Sequence, residues 1–164
     1  MSERNGSGNG GANGGGDWRL RPGRAEDVEA VAELRAVVMR GDLERLGRYD
    51  ERRVRQRLRD GFSAAYTSVI ETPDLPLAGC VTLRPEGTGL HLEHFYLAPG
   101  LQGRGLGTAV LRHLLDRADA AGETVRLSVL RGSAARRLYE RMGFTREAED
   151  DVDVYMVRQP APPR

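Results

Sequence analysis

The chain has 164 residues, enough for one ordinary domain that buries its core without disulfides or metals. Hydrophobic residues make up 39% and the formal net charge is +1, which excludes a mostly disordered chain and a global field that would draw nucleic acid. All 25 basic residues are arginine, the single Cys80 rules out an internal disulfide or a multi-cysteine metal site, and no stretch approaches the ~20 apolar residues of a membrane span.

Residues 1–16, MSERNGSGNGGANGGG, are Gly/Asn/Ser-rich and read as a flexible tail. They hold no signal-peptide core, so a cytoplasmic protein is expected. In residues 17–22, Trp18 and Leu20 alternate with Arg19 and Arg21, which predicts a first strand ended by Pro22. Val28, Val31, Leu34 and Val38 recur at helical spacing through 24–40, with acids early and arginines late, as a helix dipole prefers. A loop over 41–50 and a second helix over 51–62, with Val54 and Leu58 inward, follow. The period then changes. Residues 65–71, 75–85 and 89–99 predict three strands of an antiparallel meander. Gly105–Ala121 predicts a long helix, 123–130 a buried strand, 133–143 a helix stopped by Gly143, and 151–159 a last strand before the Pro-rich tail 160–164. The order β α α β β β α β α β places residues 17–159 in one α/β (α+β) domain with a mixed sheet.

The junction of the third meander strand with the long helix reads Gln102-Gly103-Arg104-Gly105-Leu106-Gly107-Thr108. A helix N-terminus carries about four unpaired N–H groups and a partial positive charge, and a glycine-rich lead-in lets an anion approach them closely. Arg104 adds a planar donor fork suited to phosphate. The pattern is neither the Gly-x-Gly-x-x-Gly of dinucleotide folds nor a Gly-Lys-Ser/Thr phosphate loop. The other reading is a strand–helix turn that needs unusual backbone angles.

Residues 92–115 resemble the acetyl-CoA-binding motif of the GNAT N-acetyltransferases, whose Gln/Arg-x-x-Gly-x-Gly/Ala is matched by Gln102, Gly105 and Gly107. A second stretch, LYERMGF (138–144), is similar to the family's later motif at the right distance, one helix and one strand on. The resemblance follows the element order over 17–158 and is specific in 89–144. It implies a mixed, mostly antiparallel central sheet flanked by helices, with acetyl-CoA as cosubstrate and no metal. Main-chain groups of Phe95, Tyr96 and Leu97 would bond the pantetheine arm, and amides of residues 102–108 would hold the pyrophosphate.

Acyl transfer from a thioester to an amine needs a deprotonated amine, donors for the developing oxyanion and a proton for the leaving thiolate. The resemblance aligns Tyr139 with the family's acid; a packed aromatic is its structural alternative. It places ionisable residues of the family at the positions of Glu93 and His91, which become the base and its weaker alternative or water-chain partner. Strand alternation puts His91 and Glu93 on one face and His94 on the other. The main-chain amide near Leu97 would serve the oxyanion. The family often has an asparagine where this chain has Gly132, and the neighbouring Ser133 is the candidate to replace its hydrogen bond.

Between positions 40 and 60 stand eight arginines and five acids. They form either a wall for an acceptor with carboxylate or phosphate, or a solvated face of Arg–acid pairs. The leading expectation is an N-acetyltransferase acting on a primary amine of a small molecule or peptide. A non-catalytic acyl-CoA-binding module is the alternative; a nucleic-acid-binding domain is disfavoured by the charge balance and the 5% aromatic content. No membrane partner is expected, and homodimers are common in the family.

Overall fold

The computed structural model describes residues 17–162; the glycine-rich tail 1–16 and the last two residues lie outside them. Seven strands form one sheet: β1 (Arg19–Pro22), β2 (Thr67–Glu71), β3 (Gly79–Glu86), β4 (Gly89–Leu97), β5 (Val125–Leu130), β6 (Thr145–Glu149) and β7 (Asp153–Arg158). Their spatial order is β1-β2-β3-β4-β5-β7-β6, and only β4 and β5 run parallel. Among the described residues, no helix is long and apolar enough to cross a membrane.

The hydrophobic pattern distributes four helices over the sheet: α1 (Val28–Arg45), α2 (Glu51–Gly61), α3 (Leu106–Ala120) and α4 (Ala135–Arg141). Leu106, Val110, Leu111 and Leu114 bury the stripe of α3 against Ile70, Val81, Leu92 and Leu127 of the strands. On the other face, Val31 and Ala32 of α1 and Leu58 of α2 close over Cys80 and Tyr96. Asp50 caps α2, its carboxylate accepting the N–H groups of Arg52 and Arg53.

Two elements depart from the sequence pattern. Helix α1 runs through Arg45, five residues beyond the predicted end, because Gly41 is tolerated at an open position and Arg40–Glu44 and Arg45–Asp42 pairs span it. Strand β6, which the sequence pattern leaves unassigned, has all five residues exposed, so no alternation of apolar and polar residues marks it. Register with β7 alone makes it a strand, and its charged residues suit a sheet edge.

Arg21 of β1 donates two parallel hydrogen bonds of 2.8 Å to the Asp27 carboxylate at the entry to α1, and the Arg24 N–H adds a third. The Arg21 bonds, with the main-chain bond, hold the Asp27 carboxyl below its usual value against the opposing effect of burial. This stabilisation is fully present above the ordinary Asp value near ~3.9 and is lost as pH falls through the lower folded value. Asp27→Asn is expected to cost about 1–3 kcal/mol at pH 7. The gap from the native chain should narrow progressively in denaturant melts below about pH 4; a constant gap would refute the ion pair as its source.

Candidate active site

The site forms where β4 and β5 part. They pair only at Leu90–Val125 and His91–Arg126, then β4 follows β3 while β5 follows β7. A bulge turns β4 away: Glu93 faces Thr82 and Tyr96 faces Cys80, so His94 and Phe95 together oppose Val81. His94 takes up the bulge at φ 48°, a left-handed conformation that histidine adopts more readily than most residues. The buried Cys80 thiol donates to the His94 carbonyl at 3.1 Å. Burial pushes that thiol up to about 12, so it stays a protonated donor.

A cleft of about 720 Å³ opens at the parting, walled by β4, β5, α4, the sheet-facing flank of α1 and α2, and the turn before β7. His91, Glu93, Phe95, Tyr96, Ser133 and Tyr139 all line it. Tyr139 is only 8% exposed and packs edge-on against Phe144 at 5.7 Å, yet its hydroxyl has no hydrogen-bond partner among the described residues. Burial, then Tyr96, pushes its pKa far up, which keeps the phenol protonated and able to donate.

Glu93 Oε1 accepts from Arg84 Nε at 2.7 Å, while Oε2 lies 3.8 Å from His91 Nε2. His91 and Glu93 therefore share a face, as alternation predicts. His94 does not take the opposite one. Its ring lies 6.1 Å from that of Tyr96 and faces Gly61 of α2, because the bulge inserts an extra residue and resets the alternation. Burial lowers the His94 pKa, with Arg35 and Arg84 adding to the effect and Glu93 opposing it. The Nδ1 atoms of His91 and His94 are buried without a hydrogen-bond partner among the described residues, and Glu86 Oε2 lies 3.6 Å from His91 Nδ1.

The glycine loop abuts the end of β4. Gly103 and Gly105 stand at φ 75° and 83°, and Gly105 opens α3 in the left-handed conformation. None of the main-chain N–H groups of Gly103, Arg104, Gly105, Leu106, Gly107 or Thr108 has an acceptor among the described residues. Arg104 is exposed and unpaired there too. Gly107 serves packing: a Cβ would lie 3.3 Å from Leu97 Cδ1 and 3.6 Å from Leu138 Cδ2. Gln102 folds back, its side-chain amide donating to the Leu97 carbonyl at 3.1 Å. Free donors and a half-paired strand fit the diphosphate and pantetheine of coenzyme A.

Ser133 Oγ accepts the Ala135 N–H at 3.2 Å, which leaves its hydroxyl proton free to donate. The space beside Gly132 is filled by the Arg45 guanidinium, 2.7 Å from where a Cβ would stand, and Arg45 donates to the Arg131 carbonyl. Arg35 and Arg84 join the site without having been singled out in the sequence. Arg35 of α1 donates to the Tyr96 hydroxyl at 3.0 Å and to the Val54 carbonyl at 2.5 Å, tying both helices to β4. Burial pushes the Tyr96 phenol up to about 12, with Arg35 partly offsetting it. Arg84 had a signal, because the Gly87-Thr88 hairpin sets it opposite His91; Arg35 had none.

The model of the acetyltransferase (GNAT) family matches residues 29–144, and the chain belongs to that family. It is an acetyl-CoA-dependent acyltransferase. Among solved structures, it is similar to the PaiA N-acetyltransferase of Thermoplasma acidophilum in complex with coenzyme A. The TM-score is 0.71 at 21% identity, over 87% of this chain and 99% of that one. It is also similar to the ribosomal-protein-S18-alanine N-acetyltransferase of Escherichia coli, with TM-score 0.68 and 19% identity over 90% and 97%. PH1933 of Pyrococcus horikoshii OT3 gives 0.68 and 20% over 89% and 100%. These likenesses establish the fold. No curated protein matches the sequence.

Gly105→Val puts a β-branched side chain at φ 83°, where it is strained, and crowds the loop donors. Acetyl-CoA affinity measured by titration calorimetry should fall at least about tenfold. Unchanged affinity would refute the loop as the diphosphate site.

Proposed function

We propose that the chain moves an acetyl group from acetyl-CoA directly to a primary amine of a small molecule or peptide, with Glu93 as base and Tyr139 as acid. The observation that carries this is the unpartnered Tyr139 hydroxyl in the same cleft as the Glu93 carboxylate, at the opening between β4 and β5. Bound acetyl-CoA supplies an activated acetyl thioester. Main-chain groups of Phe95, Tyr96 and Leu97 and the amides of Gly103–Thr108 hold it, and the Leu97 region offers the oxyanion donor.

Glu93 takes the amine proton. Its Oε1 is occupied by Arg84, so Oε2, directed toward His91, is the working oxygen. The 3.8 Å between Oε2 and His91 Nε2 exceeds a hydrogen bond and suits a bridging water, which supports a base that acts through His91 and water. Tyr139 then gives its proton to the leaving sulfur. Desolvation of the phenol maintains the protonated form until that step.

Tyr139→Phe should lower kcat by about 10²–10⁴ with little change in acetyl-CoA affinity; unchanged turnover across pH would remove Tyr139 as the acid. Glu93→Gln should lose rate most at low pH, where the amine is protonated. A loss equal at every pH would make Glu93 a structural partner of Arg84 instead.

A further inference from the structure

The arginines of 40–60 fall into two groups. Arg40 pairs with Glu44, Arg45 with Asp42, Arg55 with Glu33 and Arg59 with Glu29, at 2.7 to 3.2 Å. Arg48, Arg52, Arg53 and Arg57 have no acidic side chain within ion-pair distance among the described residues. Of these, Arg48, Arg53 and Arg57 line the cleft that holds Glu93 and Tyr139.

Arg53 and Arg57 stand one turn apart on the same flank of α2, where like charges destabilise a helix. Arg55 and Arg59, at the same spacing on the flank facing α1, are each matched by a glutamate. No acid of the cleft, Asp151 included, lies within ion-pair distance of the two among the described residues. Asp150 is spent on the N–H groups of Val152 and Asp153 and the hydroxyl of Tyr155, and Asp42 on Arg45. Asp153 faces Arg57 beyond ion-pair distance, and burial followed by Asp150 raises its pKa. Arg57 opposes that shift across the gap, and Arg48 and Arg53 have no acid within ion-pair distance among the described residues. Nor do these arginines serve the coenzyme's diphosphate, whose donors lie on the opposite face of the sheet with α3.

Resting on the acetyltransferase reading, we propose that the acceptor amine also carries an anionic group, a carboxylate or a phosphate, and that Arg53 and Arg57, with Arg48, recognise it. Guanidinium forks bind either group in bidentate fashion, and a bound anion removes the repulsion along α2. Val54 and Leu58, not these arginines, anchor the helix, so the pair is available for recognition rather than folding.

The test starts with acetyl-CoA binding; its absence would bring down the acetyltransferase reading itself. With binding established, kcat/KM is compared within matched pairs: 4-aminobutyrate against butylamine, phosphoethanolamine against ethanolamine, and tetrapeptides with Asp against Asn at the second position. A pair in which neither member is acetylated is ranked by affinity for the CoA-loaded protein. The anionic member should win by at least about tenfold in one pair or more, and the winning pair distinguishes carboxylate from phosphate. The double variant Arg53→Gln/Arg57→Gln should shrink that ratio to within about twofold, with its thermal midpoint not lowered. Ratios near one or inverted in every pair, or a ratio retained by the double variant, would overturn the inference while leaving the acetyltransferase reading intact.

Discussion

The parting of β4 from β5 is the constraint on which the site depends. Two parallel strands that paired along their whole length would leave no free main chain and no room between them. Here pairing stops at His91, and the bulge at His94–Phe95 bends β4 toward β3. Because the bulge inserts a residue, Glu93, His94 and Tyr96 all end on the side of α1 and α2, while Phe95 and Leu97 pack toward α3. One backbone irregularity thus creates the cleft, exposes donors along a strand and concentrates ionisable side chains on one wall. The bulge is itself supported, by the Cys80 thiol on its carbonyl and by Arg35 bracing Tyr96 against two helices.

Opposite faces of the sheet carry different tasks. On the α3 side, glycines at positive φ and an open helix N-terminus present bare N–H groups, a surface for a diphosphate. On the α1/α2 side, the polar groups are side chains: Glu93 and the aspartates at the rim, two imidazoles, two phenols and unpaired guanidinium groups. Tyr139 belongs to both, since its ring sits in the α3-side core and its hydroxyl meets the cleft. The acid proposed for the leaving group must reach from the protein interior to the cleft, and Tyr139 on α4 spans the two.

Most of the fold was legible in the residues. Helical spacing of Val28, Val31 and Leu34, alternation in the strands and the glycines before α3 place nearly every element and the glycine-rich junction with its free N–H groups. What escaped did so for local physical reasons. β6 has no buried residue, so nothing in its pattern separates it from a loop. The face of His94 followed from a strict period of two, and the bulge that breaks the period contains no glycine to announce it. In the arginine-rich segment, pairing depends on which flank of α2 meets α1, a tertiary fact; the sequence contains eight arginines without separating the matched from the unmatched. Ser133 and Gly132 show the same. Ser133 Oγ also accepts the Ala135 N–H, and Arg45 reaches into the neighbouring space from another helix, neither of which local sequence announces.

The most direct measurement is a crystal structure of the chain with acetyl-CoA bound. The diphosphate should lie on the N–H groups of Gly103–Thr108, the pantetheine arm should run along the free edge of β4, and the Tyr139 hydroxyl should sit within hydrogen-bond reach of the sulfur. A coenzyme bound elsewhere, or a sulfur out of reach of Tyr139 with Glu93 far from the acetyl group, would contradict this arrangement.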